Sequence, residues 1–148
     1  MIAENTKAPA FTLPDSEGKN VSLGDFAGKK VLIIFYPGDD TPVCTAQLCD
    51  YRNNVQEFTK RGIVTVGISS DSVTSHKSFA ERNNLPFTLL SDTEKSVAKA
   101  YDALGFLGMS QRAYVLVDET GMVLLAYSDF LPILYQPMKD LLARIDGV

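Results

Sequence analysis

The segment that decides the fold, residues 31–50, reads VLIIFYPGDDTPVCTAQLCD. Its first part, Val31 to Tyr36, is an uninterrupted apolar run and predicts a buried strand. The part that follows predicts a helix from about Pro42 to Arg61, because Thr41 suits the N-cap and proline suits the first helical position. A strand that leads directly into a helix indicates an α/β fold.

Cys44 falls in the first turn of that helix, three residues after the cap. The backbone N–H groups of a first turn are unpaired and the helix dipole is positive there, so an anion is favoured. The thiolate is the reactive form of cysteine, and this position therefore favours a nucleophile. Asp39 and Asp40 oppose the effect, because nearby negative charge disfavours a thiolate, and a cation from elsewhere in the chain has to offset them.

Cys49 lies five residues further along the same predicted helix. Helix geometry separates the Cα atoms of Cys44 and Cys49 by roughly 8.7 Å, whereas a disulfide needs them within about 7 Å. A bond between the two cysteines therefore requires the helix to unwind. Unwinding is a cost for a structural bridge and a usable step in a redox cycle.

Length and composition restrict the class of protein. A chain of 148 residues fits one domain, 1–148, with a sizeable core. The net charge of −4 and the scattered basic residues argue against binding to nucleic acid. The chain begins without an apolar signal segment and has no apolar run of membrane-spanning length, so we expect a cytoplasmic protein that does not associate with a membrane.

The two cysteines and the single histidine bear on cofactors and redox chemistry. Cysteines in a reducing compartment indicate catalysis or metal binding rather than a structural bridge. The chain has no cluster of histidines or further cysteines, which argues against a zinc site. We therefore expect neither a metal nor another cofactor.

The rest of the chain alternates short apolar strands with amphipathic helices. This order predicts a thioredoxin-like α/β fold, in which helices flank a mixed central β-sheet and a β-hairpin lies at the N-terminus. The predicted strands are 10–13 and 21–23 in the N-terminal hairpin, 63–69, and 113–118 with 122–127 in a second hairpin. The predicted helices are 72–84, 91–101 and one that starts near 137.

Several of these residues resemble a known family. The spacing Pro37-x-x-x-Thr41-x-x-Cys44 is similar to the active-site signature of peroxiredoxins. The second cysteine, five residues on, resembles the bacterioferritin-comigratory-protein, or PrxQ, subfamily. The segment from Arg112 to Asp118 resembles the family segment that carries an active-site arginine. The resemblance covers nearly the whole chain and implies the same thioredoxin-like fold.

The resemblance implies a peroxidase that reduces hydrogen peroxide and organic hydroperoxides. The Cys44 thiolate would become a sulfenic acid, and Cys49 would condense with it to an intramolecular disulfide. Thioredoxin or a similar dithiol would restore both thiols, and relatives of this type are often monomers. The resemblance nominates Arg112, the Thr41 hydroxyl and the Cys44 backbone N–H as donors that stabilise the transition state. Pro37 would shield the thiolate from water.

Four features keep two readings at this point, and the role of Gln47 is open. Thr41 is explained by helix capping alone, or by capping together with contact to the peroxide. His76 is either a polar residue on the helix surface, which the sequence favours, or a general base. Gln47 stands where the subfamily often has a glutamate, so it keeps the hydrogen-bonding shape without the charge. The apolar segment 105–109 is either a connector that packs against the core or a wall of the substrate pocket. The apolar segment 130–135 either packs in the core or forms a partner or dimer surface.

Three other functions fit the same scaffold. A general thiol–disulfide oxidoreductase usually carries Cys-x-x-Cys, which this chain lacks. A non-enzymatic interaction module predicts thiols that are inert to peroxide and to small disulfides. A redox sensor would pass the Cys44–Cys49 bridge to a partner as a signal instead of completing a catalytic cycle.

Overall fold

The computed structural model describes residues 1–105, 108, 110–129 and 135–148. An antiparallel hairpin of β1 (Thr12–Pro14) and β2 (Asn20–Ser22) lies near the N-terminus, as predicted. A 3-10 turn, Leu23–Phe26, leads from the hairpin to the main sheet. None of the helices in the described part of the chain is long and apolar enough to cross a membrane.

The main sheet is mixed, as the order of elements predicts. Its central strand is β3, which pairs in parallel with β4 and antiparallel with β6. The outer strands β5 and β7 extend the parallel and antiparallel sides, respectively. The strands are β3 (Lys30–Phe35), β4 (Ile63–Ser69), β5 (Thr88–Ser91), β6 (Ala113–Val117) and β7 (Val123–Ser128), in the order β5-β4-β3-β6-β7.

Strand β3 separates the two halves of the apolar core. Val31, Ile33 and Phe35 point into one half. Leu32 and Ile34 point into the other half, on the opposite face of the sheet. A strand covered on both faces needs apolar side chains at every position, which explains the uninterrupted run in the sequence.

Five helices cover the main sheet in the described residues. Two of them match their sequence patterns closely, since the Ser72 side chain caps α3 by accepting from the Ser75 N–H at 3.1 Å, and α5 buries Met138, Leu141 and Ile145. The helices are α1 (Pro42–Asn53), α2 (Val55–Lys60), α3 (Val73–Asn83), α4 (Ser96–Ala100) and α5 (Met138–Asp146).

The predicted helix from Pro42 to Arg61 is wrong in one respect, because it is divided at Asn54 into α1 and α2. The backbone of Asn54 leaves the helical region with φ −124° and ψ 21°. Its side-chain amide donates to the Asp50 carbonyl at 2.9 Å. Asparagine side chains compete in this way with the helical backbone bonds, which accounts for the break.

The predicted helix over 91–101 is also wrong at its start. Ser91 ends strand β5, and helix α4 begins only at Ser96. The Asp92 carboxylate accepts from the N–H groups of Val97 and Ala98, at 3.2 and 2.9 Å. A single aspartate therefore satisfies the first turn, and the helix starts later than the sequence pattern predicts.

Sheet topology brings two distant segments together. Strand β3 runs toward the start of α1, and β6 runs in the opposite direction beside it, with Phe35 opposite Ala113. The residue before β6, Arg112, therefore lies at the same edge of the sheet as the first turn of α1. Cys44 is in that turn.

Candidate active site

Cys44 lies in the first turn of α1 and is fully buried, packed with Tyr36, Leu48 and Phe79. Cys49 is half-buried, and its thiol lies 3.7 Å from Oδ1 of Asn83 on α3. Both cysteines are free thiols, and α1 is continuous across them. The structure is therefore the reduced arrangement, in which the helix keeps the two sulfurs unbonded.

Arg112 supplies the cation that the sequence requires. Its side chain is only 2 % exposed. The Nη1 group donates to the Cys44 sulfur at 3.3 Å and to Oε1 of Gln47 at 2.5 Å. A buried guanidinium at this distance stabilises a thiolate electrostatically, because the surroundings screen the charge poorly.

Gln47 connects this arginine to a chain of buried polar groups. It is fully buried, and its Nε2 donates to the hydroxyl of Tyr114 at 2.9 Å. That hydroxyl in turn donates to Asp129 at 2.8 Å. The role of Gln47, which the sequence left open, is thus to accept from Arg112 and to donate to Tyr114.

Burial maintains the hydrogen bond from Tyr114 to Asp129 at the far end of this network. Burial raises the pKa of Tyr114, so that its hydroxyl keeps its proton. Burial also raises the pKa of Asp129, although the hydrogen bond from Tyr114 and the charge of Arg112 both act to lower it. The network therefore holds Arg112 in place without a carboxylate in direct contact with Cys44.

Thr41 occupies the N-cap position with an extended backbone, φ −80° and ψ 146°. Its predicted capping role is wrong, since the hydroxyl donates to the Gly38 carbonyl at 3.0 Å and makes no hydrogen bond to the first turn. Thr41 is exposed, and Pro37 at the start of the same loop is half-buried. Side-chain capping therefore does not explain why a threonine occupies position 41.

Asp39 does not act as a free negative charge near the thiol. Its carboxylate accepts from the Tyr36 hydroxyl at 2.7 Å, from the Ser75 hydroxyl at 2.8 Å and from the His76 ring at 2.8 Å. Burial acts to raise the pKa of Asp39, but the hydrogen bonds from His76 and Tyr36 outweigh it and hold the pKa below its usual value. Asp40 is paired with Arg82 at 2.7 Å.

The sequence favours a position on the helix surface for His76, and this prediction is wrong. The His76 side chain is fully buried. Its Nδ1 faces Asp39 and its Nε2 faces the Leu90 carbonyl at 3.0 Å, so the protein occupies both ring nitrogens. A general base needs a nitrogen within reach of the reacting proton, and neither is available. The spacing of three residues from Val73 and from Phe79 is the signal that places His76 on the inner face.

In the part of the chain that the structure describes, one group of side chains could hold a metal ion. Asp39, Asp71 and His76 each offer a ligand atom, and these atoms lie within 4.8 Å of one another. Oδ2 of Asp71 already accepts from the Asp39 N–H and the Ser69 hydroxyl. Because hydrogen bonds occupy the ligand atoms, we assign no ion to them.

Two sequence predictions fall largely outside the described residues. In the segment 105–109, residues 106, 107 and 109 lie outside the described residues, and so does the predicted pocket wall. The same holds for residues 130–134 of the segment 130–135. A cleft of about 220 Å³ lies elsewhere, at the opposite end of β3, where its lining includes Phe26 and Gly121 and neither cysteine.

Comparison with known proteins identifies the family. Residues 5–126 match the AhpC/TSA family. The chain is 43% identical over 144 residues to the chloroplastic peroxiredoxin Q of Suaeda salsa, covering 95% of this chain and 64% of that protein. It is 45% identical over 130 residues to the peroxiredoxin bcp of Coxiella burnetii, covering 82% of this chain and 85% of that protein.

Solved structures give the same result. The crystal structure of BcpB from Mycobacterium tuberculosis aligns with a TM-score of 0.83 and 30% identity over 90% of each chain. The Xanthomonas campestris bacterioferritin comigratory protein aligns with a TM-score of 0.82 and 28% identity, over 93% of this chain and 90% of that one. These alignments confirm the thioredoxin-like fold. The chain therefore belongs to the AhpC/TSA family and is a peroxiredoxin of the Q or bacterioferritin-comigratory type.

Proposed function

We propose that Cys44 is the thiol with which this chain, a thiol-dependent peroxidase, reduces hydroperoxides, and that Arg112 is its principal electrostatic partner. One observation carries the assignment. The Cys44 sulfur lies in the first turn of a helix and accepts a hydrogen bond from a buried guanidinium at 3.3 Å. Both features favour the thiolate, which is the form that attacks peroxide.

The reaction begins when the thiolate attacks the nearer peroxide oxygen. The S–O bond forms as the O–O bond breaks, and the electron pair leaves with the far oxygen, which takes up a proton to give water or an alcohol. A thiol of pKa about 8.5 is only about 3% ionised at pH 7, so complete ionisation gains at most about 30-fold. The rest of the rate must come from donors aimed at the transition state, each worth about 10²–10³-fold.

We assign this stabilisation to three groups. Arg112 donates a hydrogen bond to the sulfur and can stabilise the negative charge that develops on the leaving oxygen. The Thr41 hydroxyl donates to the Gly38 carbonyl, so its oxygen can accept a hydrogen bond from the peroxide O–H. The backbone N–H of Cys44 lies in the first turn, which the Thr41 side chain does not cap. We assign to Pro37, which is half-buried in the loop before α1, the shielding of the thiolate from water.

We assign the resolving role to Cys49. The Cys44 sulfenic acid condenses with the Cys49 thiol, which forms the S–S bond and releases water. Because α1 is continuous across both residues, this step requires part of the helix to unwind. The contact of Cys49 with Asn83 must break at the same time.

Reduction of the disulfide needs an external thiol, and we propose thioredoxin or a similar dithiol. The proposal further takes residues 1–148 as one domain that works as a monomer in the cytoplasm, where two unpaired cysteines remain reduced. Structures of the Xanthomonas campestris relative address its alkyl peroxide reduction activity. We propose that this chain likewise accepts organic hydroperoxides as well as hydrogen peroxide.

A single-turnover reaction of the reduced protein with one equivalent of hydrogen peroxide tests the assignment. We expect both thiols to disappear far faster than free cysteine reacts, and peptide mass analysis to locate one Cys44–Cys49 bond. The Cys49→Ser variant should stop at a sulfenic acid on Cys44. A reaction no faster than that of free cysteine would contradict the proposal, and steady turnover with thioredoxin distinguishes an enzyme from a redox sensor.

A further inference from the structure

The single histidine of the chain joins helix α3 to the loop that precedes the Cys44 helix. The His76 ring is fully buried. Its Nε2 lies 3.0 Å from the Leu90 carbonyl oxygen, and its Nδ1 lies 2.8 Å from Oδ2 of Asp39. The peroxidase reaction described above does not use this ring.

The partners of the ring fix its protonation state. The Leu90 carbonyl can only accept, so Nε2 of His76 carries a proton. Asp39 also accepts at both oxygens, since Tyr36 donates to Oδ1 and Ser75 donates to Oδ2. An ionised carboxylate at 2.8 Å requires a proton on Nδ1 as well, whereas a protonated carboxyl would donate to a neutral ring. The donors that surround both Asp39 oxygens favour the ionised carboxylate, and with it an imidazolium at His76.

The acidic groups near the pair are consistent with this assignment. Asp71 accepts from the Asp39 N–H at 2.8 Å, and on the outer side of the loop Asp40 is already paired with Arg82. Two carboxylates therefore lie close to the imidazolium, and its positive charge is compensated.

Asp39 is the residue that fixes the loop between β3 and α1. Its side chain is held by three donors and its N–H by Asp71. Its neighbour Asp40 has φ +61°, a left-handed conformation that residues other than glycine seldom adopt. On the other side, the Gly38 carbonyl accepts the Thr41 hydroxyl. The orientation of that hydroxyl therefore depends on where Asp39 is held.

We propose that His76 is a positioning residue for peroxide reduction, because its imidazolium clamps Asp39 and thereby sets the Thr41 hydroxyl at the start of the Cys44 helix. The inference rests on the proposed roles of Cys44 and Thr41. Small misplacements of a reacting group lower rates steeply, by about 10²-fold for 1 Å. A clamp at a distance from the sulfur can therefore control the rate.

Nuclear magnetic resonance of the 15N-labelled, reduced protein tests the protonation state directly, because the chain has one histidine. We expect two protonated ring nitrogens at neutral pH, and a neutral ring in the Asp39→Asn variant. A neutral ring in the wild type, or an imidazolium that survives in Asp39→Asn, would overturn the proposal. A spectrum that changes on addition of EDTA would also overturn it, in favour of a bound metal ion.

Kinetics of two reactions of Cys44 test the positioning role. Alkylation by iodoacetamide depends on the thiolate alone, whereas peroxide reduction also depends on the Thr41 hydroxyl. We expect His76→Leu to slow peroxide reduction at least about tenfold more than alkylation. Asp39→Asn should slow peroxide reduction less than His76→Leu does, because the asparagine amide can donate to a neutral His76 ring and so keep the hydrogen bond between the two residues. Equal slowing of both reactions would mean that His76 is merely structural.

Arg82→Gln is the matched control. It breaks another link between the same loop and the same helix, but the side chains of Arg82 and Asp40 are 56% and 47% exposed. Exposed ion pairs contribute little, so we expect both rates to stay unchanged. If Arg82→Gln slowed peroxide reduction as much as His76→Leu, the specific role of the buried pair would be excluded.

The outcomes also separate this inference from the proposed function. A wild-type protein that reduces peroxide no faster than free cysteine would overturn both. A fast wild type and an equally fast His76→Leu would overturn only the role of His76. If His76→Leu does not fold, the wild-type and Asp39→Asn spectra still decide whether the buried imidazolium exists.

Discussion

Nη1 of Arg112 lies 3.3 Å from the sulfur of Cys44, although 68 positions separate the two residues in the chain. The same nitrogen also donates to Gln47, which is on the same helix as the cysteine. The planar guanidinium is thus aligned by two acceptors on α1. This alignment, more than the charge alone, distinguishes the site from an ordinary buried ion pair.

Arg112→Lys should slow the reaction with hydrogen peroxide by about 10²-fold, because one ammonium that contacts Cys44 and Gln47 has no second nitrogen for the leaving oxygen, whereas the planar guanidinium carries more than one. Stopped-flow measurement of the first turnover gives the rate. Arg144→Lys serves as the control, since Arg144 lies over the ring of Tyr127 at 4.0 Å and contacts neither cysteine. A lysine variant that matched the wild-type rate would remove Arg112 from the mechanism.

Gln47→Leu should lower the free energy of unfolding by about 1–3 kcal/mol, because the buried Tyr114 hydroxyl loses a donor and Arg112 loses an acceptor. Urea unfolding of the reduced protein measures the change. Gln56→Leu, at an exposed position on α2, should leave stability nearly unaltered. Equal effects of the two substitutions would show that the network adds no stability.

Thr41→Val should slow peroxide reduction strongly, by about 10²-fold, because it removes the oxygen that accepts from the peroxide. Thr41→Ser keeps that oxygen and should preserve much of the activity. Since the hydroxyl does not cap the helix, helix content measured by circular dichroism should be the same in both variants. A valine variant with wild-type kinetics would contradict the catalytic role.

Formation of the Cys44–Cys49 bond should expose the backbone of α1. Hydrogen exchange is the appropriate measurement, and we expect faster exchange within residues 42–53 of the oxidised protein than of the reduced one. Helix α3 should keep its protection, apart from the residues that contact Cys49. An oxidised structure with the bond formed and α1 still continuous would contradict this expectation.

Low pH should reduce the folding stability of the protein, in part through protonation of Asp39. Because its pKa is lowered in the folded state, the stability it contributes is complete above the usual value of about 3.9 and is lost as the pH falls through the folded-state pKa. The stability difference between wild type and Asp39→Asn should therefore shrink below about pH 4. Asp40→Asn is the control in the same loop. A difference independent of pH would contradict the ionised pair.

The sequence predicts well what depends on local pattern. The apolar run of β3, the proline at the start of α1 and the spacing of the second hairpin each determine their element without knowledge of the rest. Arg112 was predicted only because a family resemblance pointed to it, since an arginine before a strand is by itself an ordinary surface residue. Its burial results from the antiparallel pairing of β6 with β3.

Partnerships between distant side chains were not predictable in the same way. Gln47, Tyr114 and Asp129 form one network, but each has an ordinary local context, and only the fold places them in contact. For Thr41 the local pattern itself was misleading. It predicted a side-chain cap for the helix, but the hydroxyl donates to the Gly38 carbonyl instead. His76 lay within reach of prediction, because its helical spacing indicates the inner face.

The register that places Phe35 opposite Ala113 has a consequence for biosynthesis. The ribosome delivers Cys44 long before Arg112, and domains begin to fold from their N-terminal part. Until β6 has joined the sheet, no guanidinium faces the sulfur, and the nascent thiol reacts as it would in a peptide. The proposed fast reaction with peroxide therefore requires the completed fold, so that Cys44 of an unfinished or misfolded chain should be oxidised no faster than a peptide cysteine.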